Sequence, residues 1–95
     1  MRLEISVLAA RDLRELHVHG LGEYGAEKAD AYLADLFASF QRIVQWPLAA
    51  RERLPTRPPV RLVRRHAHNV LYCVEDGVVT ILRVFHHSAN WIDHL

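Results

Sequence analysis

The sequence has few of the features that mark secreted, disulfide-bonded or membrane proteins. Its one cysteine, Cys73, excludes an internal disulfide, and its place inside an apolar run is typical of a small buried side chain. No apolar run approaches the length of about 18 residues that a membrane-spanning helix needs. Residues 1–20 lack the basic start, apolar stretch and small-residue cleavage site of a signal peptide. We therefore expect a cytoplasmic protein.

The chain also has almost no excess of positive over negative charge, since its 95 residues carry a formal net charge of +1. This balance argues against a nonspecific nucleic-acid-binding protein, and we expect no sequence-specific binding of nucleic acid by the chain alone. The charge is nevertheless uneven: residues 51–65 contain Arg51, Arg53, Arg57, Arg61, Arg64 and Arg65 against Glu52 alone. Such a cluster suits bidentate contacts with carboxylates or phosphates. It also fits a solvated loop and an edge strand that charge keeps soluble.

Hydrophobic residues are abundant and make up 51% of the chain, which is enough for a packed core. With a length of 95 residues, this composition predicts one globular domain over residues 1–95. Ser6 is expected to cap a first helix, whose apolar positions are three or four residues apart as far as Tyr24. A second helix is predicted over residues 26–45, where apolar side chains form one continuous face. Gly25 leaves only a short connection, so the helices should form an antiparallel hairpin that lies on a sheet.

Four strands are predicted, over residues 3–6, 60–65, 69–75 and 78–85. The Asp76-Gly77 dipeptide is a strong hairpin signal, and the register that it sets places Val70 opposite Arg83. Residues 47–59 contain all four prolines and form a connector, with a turn of helix expected near residues 48–53. Because two of these prolines lead into strand 60–65, this strand is predicted to lie at an edge of the sheet.

The seven histidines raise the question of a metal site. They are His17 and His19, His66 and His68, His86 and His87, and His94. Helical ligands on one face are three or four residues apart, and adjacent residues on a strand diverge, so the first and third pairs do not converge. The second pair shares a face if the chain is extended there, but no carboxylate or cysteine is close in sequence. We predict no metal site and no cofactor.

The end of the chain carries the most specific pattern. Residues 80–85 are an apolar strand with one arginine, Arg83, after which a His86-His87 turn and the stub of a helix are expected. A strand of the form I-x-R-V-L-H, a polar turn and a short helix ending in His-Leu form the C-terminal signature of the ParE branch of the RelE/ParE toxin superfamily. The chain resembles that branch at these positions.

The resemblance spans nearly the whole chain. Residues 3–6 and the A-A-R-D-L run at 9–13 are similar to the family's opening strand and first helix, and Tyr24-Gly25, Pro47 and residues 68–72 match further positions. The resemblance implies a two-layer α+β fold. In this fold an N-terminal strand precedes an antiparallel helical hairpin, which packs on an antiparallel sheet in the order 1-4-3-2, and a short C-terminal helix follows.

By resemblance, the ParE branch poisons DNA gyrase and is neutralised by a ParD-like antitoxin. Such a toxin is a binding effector that needs no catalytic residue of its own. The candidates that would face the target are Arg64, Arg65, Arg83, His86, His87 and Trp91. An arginine inside a strand is costly unless it is paired, so Arg83 is also expected to pair with Asp12, Glu15 or the C-terminal carboxylate.

The ribonuclease branch of the superfamily is the alternative. Its RelE/YoeB-type mRNA interferases need basic groups that hold the scissile phosphate and an acid–base group for the 2′-hydroxyl. An arginine that usually precedes the L-V-Y of the central strand is replaced here by Asn69, which disfavours this activity. If the chain is a ribonuclease, Arg65, His86 and His87 are the catalytic candidates. A third possibility is a non-toxic relic that only binds a partner.

The antitoxin is expected to bind the predicted edge strand and the helical hairpin. The strand would offer free backbone groups to an added strand, and apolar margins of the second helix would receive an amphipathic helix. The candidates are Tyr32, Phe40, Ile43, Val60, Arg61, Leu62 and Arg64. The arginines of residues 51–65 would attract an acidic antitoxin tail and speed its docking.

Overall fold

Two helices and five strands make up most of residues 1–54 and 56–90, which are the residues that the computed structural model describes. Their order is β1 (Arg2–Ile5), α1 (Val7–Tyr24), α2 (Ala26–Gln45), β2 (Glu52–Leu54), β3 (Val60–Arg65), β4 (His68–Glu75) and β5 (Val78–His86). The helices pack on one face of the sheet, so the predicted α+β class is confirmed. Neither described helix is apolar enough along its length to cross a membrane.

The helical hairpin has its predicted limits. Ser6 caps α1, because its side-chain oxygen accepts a hydrogen bond from the Ala9 N–H at 3.0 Å. Gly25 joins the helices with a φ of 86°, a conformation that residues with a side chain rarely adopt. A Cβ on Gly20 would lie 3.3 Å from the Cβ of Ala29, so this glycine lets α1 and α2 approach closely.

The sheet is mixed, and β1 runs parallel to β5. The prediction of a wholly antiparallel sheet is therefore wrong. Only strands joined by tight turns must alternate in direction, and most of the chain separates β1 from β5. Ser6, which directly follows β1, fixes this pairing: its N–H donates to the Ile81 carbonyl at 3.0 Å and its hydroxyl to the Leu82 carbonyl at 2.9 Å.

A fifth strand changes the predicted order 1-4-3-2 to β1-β5-β4-β3-β2. Glu52–Leu54, where a helical turn was expected, is the strand β2 and pairs with Val60 and Arg61 of β3. Arg61 holds this segment in place, since its guanidinium donates to the Ala50 carbonyl at 2.5 Å and to the Glu52 carboxylate at 3.3 Å. The prediction that all of β3 is an edge strand is thus wrong for its first residues, whose rim the connector covers.

β4 and β5 form the predicted Asp76-Gly77 hairpin, with both turn residues at positive φ. The pairing follows this turn as far as Tyr72, where the register shifts. Beyond that point Val70 lies opposite Val84 and not, as predicted, opposite Arg83. The predicted pair is wrong because a bulge inserts one extra residue into β5.

Both faces of the sheet are apolar, as predicted. The core between helices and sheet consists of Ala9, Leu13, Leu36, Phe40, Ile43, Val70, Tyr72, Val79, Ile81 and Val84. On the opposite face, Val60, Leu71 and Phe85 form a smaller cluster against which Leu54, Leu62, Leu82 and Ala89 pack. β2 and the turn after β5 therefore cover part of this second face. Residues 88–90 contain no part of the predicted C-terminal helix, and residues 91–95, where the rest of that prediction falls, lie outside the described residues.

Candidate functional site

The bulge in β5 directs Arg83 towards α1, where it forms a bidentate ion pair with Asp12. The Arg83 Nε lies 2.8 Å from Asp12 Oδ2, and Nη2 lies 2.9 Å from Oδ1. The Val84 N–H also donates to Asp12 Oδ2, at 2.9 Å. The side chains of Arg83 and Asp12 are only 21% and 10% exposed, so the expected pairing with Asp12 is confirmed and joins α1 to β5 in a partly buried site.

This pairing favours the charged form of the arginine. The hydrogen bond that Arg83 donates to Asp12 raises the pKa of Arg83 above its usual value, against the opposing effect of burial. A guanidinium that is fixed by two hydrogen bonds to one carboxylate is a poor candidate for a mobile contact with the target. Its direct effect is to fix the helical hairpin on the sheet.

A second constellation lies where the β3–β4 turn meets the end of β5. It brings together four imidazoles, those of His66, His68, His86 and His87, which we call the histidine cluster. His68 and His86 are paired across β4 and β5, and their ring centroids are 5.6 Å apart. The rings of His86 and His87 are 4.5 Å apart. Two histidine pairs that are distant in sequence therefore form one surface.

Tyr32 of α2 packs against this cluster and sets the state of His68. The phenol oxygen accepts a hydrogen bond from the Ala67 N–H at 3.2 Å and lies 2.6 Å from His68 Nδ1. A phenol that accepts from Ala67 can donate its own proton to Nδ1, which leaves the proton of the neutral imidazole on Nε2. Burial, with the nearby His86 and His87, lowers the pKa of His68, and burial raises the pKa of Tyr32.

Asp35, one turn further along α2, binds the same strand turn. Its carboxylate accepts two hydrogen bonds from Arg65, at 2.8 and 2.7 Å, and lies 2.9 Å from His66 Nε2. The hydrogen bond from Arg65 is the main reason that the pKa of Asp35 is lowered. Tyr32 and Asp35 thus fix the turn in which His66 adopts a φ of 52°.

The outer members of the cluster are exposed. The His87 N–H donates to the Ala67 carbonyl at 2.8 Å, which attaches the end of β5 to the β3–β4 turn. The His86 Nδ1 accepts from the Ser88 N–H at 3.2 Å and lies 2.7 Å from the Ser88 hydroxyl. The pKa of His87 is lowered, mainly by partial loss of solvent around the ring and secondly by the positive charge of Arg64. Imidazoles can exchange protons near neutral pH, and the exposed guanidinium of Arg64 beside them can attract an anion.

This surface continues into a groove of about 900 Å³ between the helical hairpin and the end of the sheet. The groove is lined by Tyr32, His68, Arg83 and His86 and by small residues such as Gly20. Of the six candidates for facing the target, Arg64, His86 and His87 are exposed around the cluster. Arg65 and Arg83 are bound to carboxylates, and Trp91 lies outside the described residues.

The described residues contain no group of three or more histidine, cysteine or acidic side chains that is arranged for a metal ion. Asp35 is the carboxylate that contacts the cluster, and Arg65 already binds both of its oxygens. Elsewhere, His17 pairs with Asp30 across the helical hairpin at 2.7 Å. His94 lies outside the described residues.

The spacing of the histidines in sequence does not bring the two pairs together, so the cluster was not predicted. The signal was present in the Asp76-Gly77 turn, since its register brings His68 to the residues that end β5. The bulge then shifts the pairing by one residue, so His86 and not Phe85 lies opposite His68.

The residues predicted to receive the antitoxin are mostly unavailable for that contact. Phe40 and Ile43, 0% and 4% exposed, lie in the core and form no exposed margin, because the apolar stripe of α2 faces the sheet. Val60 is buried and paired with Leu54 of β2, and Arg61 is held by Ala50 and Glu52. Leu62 packs in the cluster on the opposite face of the sheet.

A smaller groove of about 270 Å³ lies between the end of α2 and β3. Ile43 and Tyr72 contribute to its apolar wall, and Arg42 and Arg64 lie at its rim. The neighbouring Trp46 is 66% exposed. Beside the groove, the rim of β3 beyond Arg61 has no strand partner among the described residues.

The comparisons with known proteins agree with this architecture. The family model of the ParE toxin of the type II toxin–antitoxin system, parDE, matches residues 3–91. A chain of the chromosomal ParDE toxin–antitoxin system from P. aeruginosa has a TM-score of 0.77 and 24% identity, covering 90% of this chain and 95% of that one. A chain of the RelBE2 toxin–antitoxin complex from Mycobacterium tuberculosis has a TM-score of 0.66 and 24% identity, covering 93% and 92%.

No curated protein matches the chain. At 24% identity the two structures establish the shared fold, whereas the family model matches nearly the whole length of the sequence. The chain therefore belongs to the ParE toxin family of type II toxin–antitoxin systems.

Proposed function

We propose that this ParE toxin inhibits DNA gyrase as a binding effector and is neutralised by a ParD-like antitoxin. The observation that carries the proposal is the neutral Asn69, which stands where a ribonuclease of this fold would hold the scissile phosphate with an arginine. Asn69 at that position is neutral and 9% exposed. Arg65 on the neighbouring strand is held by both oxygens of Asp35.

The surface proposed to meet gyrase is the exposed side of the histidine cluster. His86, the last residue of β5, and His87 are exposed, and Arg64 lies beside His87. Arg83 is not proposed to contact the target; its ion pair with Asp12 fixes β5, which carries His86, to α1.

The antitoxin is proposed to bind, in part, along the open rim of β3. An extended segment can add to the open rim of Leu62–Arg65, with one apolar side chain in the groove beside Trp46 and Val63. Acidic residues of the segment would meet Arg42 and Arg64. The match to a chain of a ParDE system supports an antitoxin of the ParD type.

The test of the function compares two targets in parallel. Expression of the chain alone should cause filamentation and a DNA-damage response while translation continues, and the purified chain should inhibit gyrase supercoiling. Co-expression of the ParD-like partner should restore growth. Cleavage of mRNA at ribosome-bound codons, with gyrase unaffected, would contradict the proposal.

A second candidate function, an mRNA interferase, is favoured by one specific observation. The histidine cluster places several imidazoles beside Tyr32 and Arg64, and two of them, His68 and His87, have lowered pKa values. Such groups can serve as acid and base near neutral pH. If this is the activity, His86→Ala or His87→Ala should abolish mRNA cleavage, and His19→Ala on α1 serves as the matched control. A chain that binds the antitoxin but shows neither activity would instead be a relic.

A further inference from the structure

The helix α1 exposes more large apolar side chains than it buries. Its buried residues are Ala9 and Leu13, whereas its large exposed apolar residues are Val7, Leu8, Val18, Leu21 and Tyr24. Single exposed apolar residues are normal on a soluble protein, but a line of them along one helix indicates a contact surface.

Three of these apolar residues, Val7, Val18 and Leu21, lie on one face of α1 together with Arg11 and Arg14, and the five positions follow one another at spacings of four, three, four and three. This spacing keeps them on one face of the helix, and we call this face the outer stripe. Val7 is 82%, Val18 66% and Leu21 39% exposed. At about 1.5 Å per residue the stripe is about 21 Å long, which equals about four turns of a partner helix.

The charges of the outer stripe lie at its centre. Arg11 and Arg14 are exposed and form no hydrogen bond or ion pair with the described residues. Two acidic neighbours lie beside the stripe and not on it: Asp12 binds Arg83, and Glu15 lines the larger groove. The stripe is therefore apolar at both ends and cationic in the middle.

This pattern selects among the possible partners. A second copy of the chain would place Arg14 against Arg14 when the helices pair antiparallel, and like charges in contact disfavour this pairing. Nucleic acid would leave the apolar ends uncovered. A helix with apolar residues at both ends and carboxylates at its centre satisfies the whole stripe.

We propose that the outer stripe is the docking site of an acidic amphipathic helix, which rests on the proposed function because we assign that helix to the antitoxin. The stripe would take the role that was predicted for the face of α2, whose apolar residues are buried. The antitoxin would then hold the toxin at two places, by its helix on α1 and by an extended segment on the rim of β3.

The test uses the ParD-like protein that restores growth in the expression experiment and measures its Kd for the full chain by calorimetry. Reversing both central charges, with Arg11→Glu and Arg14→Glu, should weaken binding at least about tenfold. Val18→Ser combined with Leu21→Ser should have a similar effect. Matched exposed residues off the stripe serve as controls, and Lys28→Glu and Tyr24→Ser should leave the Kd within about twofold. Thermal unfolding checks that each variant is folded.

A designed helical peptide makes the charge requirement explicit. The probe is a peptide of about 18 residues, with leucines at three- and four-residue spacing and two central glutamates. It should bind the wild-type chain, and its lysine counterpart should not. The chain with Arg11→Glu and Arg14→Glu should show the opposite preference, a result that mere damage to the fold cannot produce.

The two proposals fail in different ways. If no ParD-like protein restores growth, the proposed function is wrong. If such an antitoxin binds the wild-type chain and both stripe variants with equal Kd, the outer stripe is not its site and the proposed function stands. If the chain binds phosphatidylglycerol vesicles through the stripe but does not bind the acidic peptide, the partner is a lipid surface and the inference is overturned.

Discussion

At the scale of single residues, the carboxylate of Asp12 accepts hydrogen bonds from two kinds of donor at once. It neutralises the Arg83 guanidinium and also accepts the Val84 N–H, which the bulge directs away from the neighbouring strand. Without Asp12, Arg83 would lose this ion pair and the Val84 N–H would lose this acceptor. The bulge, the ion pair and the position of α1 therefore depend on one another.

The first prediction concerns this ion pair. Asp12→Ala and Arg83→Ala should each lower the free energy of unfolding by about 3–5 kcal/mol, because each breaks the partly buried ion pair that joins α1 to β5. Glu15→Ala, which removes a neighbouring exposed carboxylate of α1, is the control and should change it by less than about 0.5 kcal/mol. Urea denaturation measures all three. An Arg83→Ala protein of unchanged stability that has lost its toxicity would make Arg83 a target contact.

The second prediction concerns pH. The pKa values of His68 and His87 are lowered from 6.5, so the folded protein binds protons on these rings less readily than the unfolded chain. Their contribution to stability is complete above about pH 6.5 and declines as the pH falls through their folded pKa values. The lowered pKa of Asp35 acts only below its usual 3.8, in a separate pH range.

Denaturation between pH 5 and 8 measures this decline. His68→Asn, which keeps a polar acceptor near the Tyr32 hydroxyl, should flatten the dependence of the unfolding free energy on pH. The matched variant is His19→Asn on exposed α1, which should keep the wild-type slope. Equal slopes in all three proteins would show that burial of His68 has no energetic link to protonation.

At the scale of elements, local signals predicted more than long-range ones. The limits of α1 and α2 could be predicted because Ser6, Gly25 and the apolar spacing all act within a few residues. The bulge at Arg83 could not, since its cause is Asp12, which is 71 residues away in sequence. β2 was missed for a related reason: the bonds of Arg61 to Ala50 and Glu52 form only after the connector folds back.

The same distinction divides the arginines of residues 51–65. Arg61 and Arg65 are bound within the fold, whereas Arg51, Arg57 and Arg64 are exposed. The third prediction is therefore that Arg51→Glu, Arg57→Glu and Arg64→Glu together slow antitoxin association at least about tenfold at low salt, since these charges steer an acidic tail. Stopped-flow association rates measure the effect, which salt should weaken.

The control for this triple variant is Arg65→Glu. It breaks the pair with Asp35, so its main effect should be lower stability, seen as a reduced urea midpoint. If the triple variant associates at the wild-type rate with its fold intact, these arginines keep the loop soluble and have no role in antitoxin recognition.

At the scale of the whole molecule, three surfaces share a domain of 39 × 27 × 21 Å. The histidine cluster lies at one end of the sheet, the outer stripe runs along α1, and the rim of β3 lies beside α2. An antitoxin that occupies the last two surfaces would cover Arg64, which borders the histidine cluster, and would leave His86 and His87 uncovered. Neutralisation would then result from blocking the approach of gyrase, while the histidines themselves stay free.

This separation gives the fourth prediction. The double variant His86→Ala and His87→Ala should lose inhibition of gyrase supercoiling, because it removes the exposed imidazoles at the end of β5. Its Kd for the antitoxin should stay within about twofold of the wild-type value, since neither residue belongs to the two proposed antitoxin surfaces. The stripe variant with Arg11→Glu and Arg14→Glu should behave in the opposite way, inhibiting gyrase fully while it binds the antitoxin poorly. If one variant loses both properties with its fold intact, target and antitoxin share one surface, and neutralisation is direct competition for the histidine cluster.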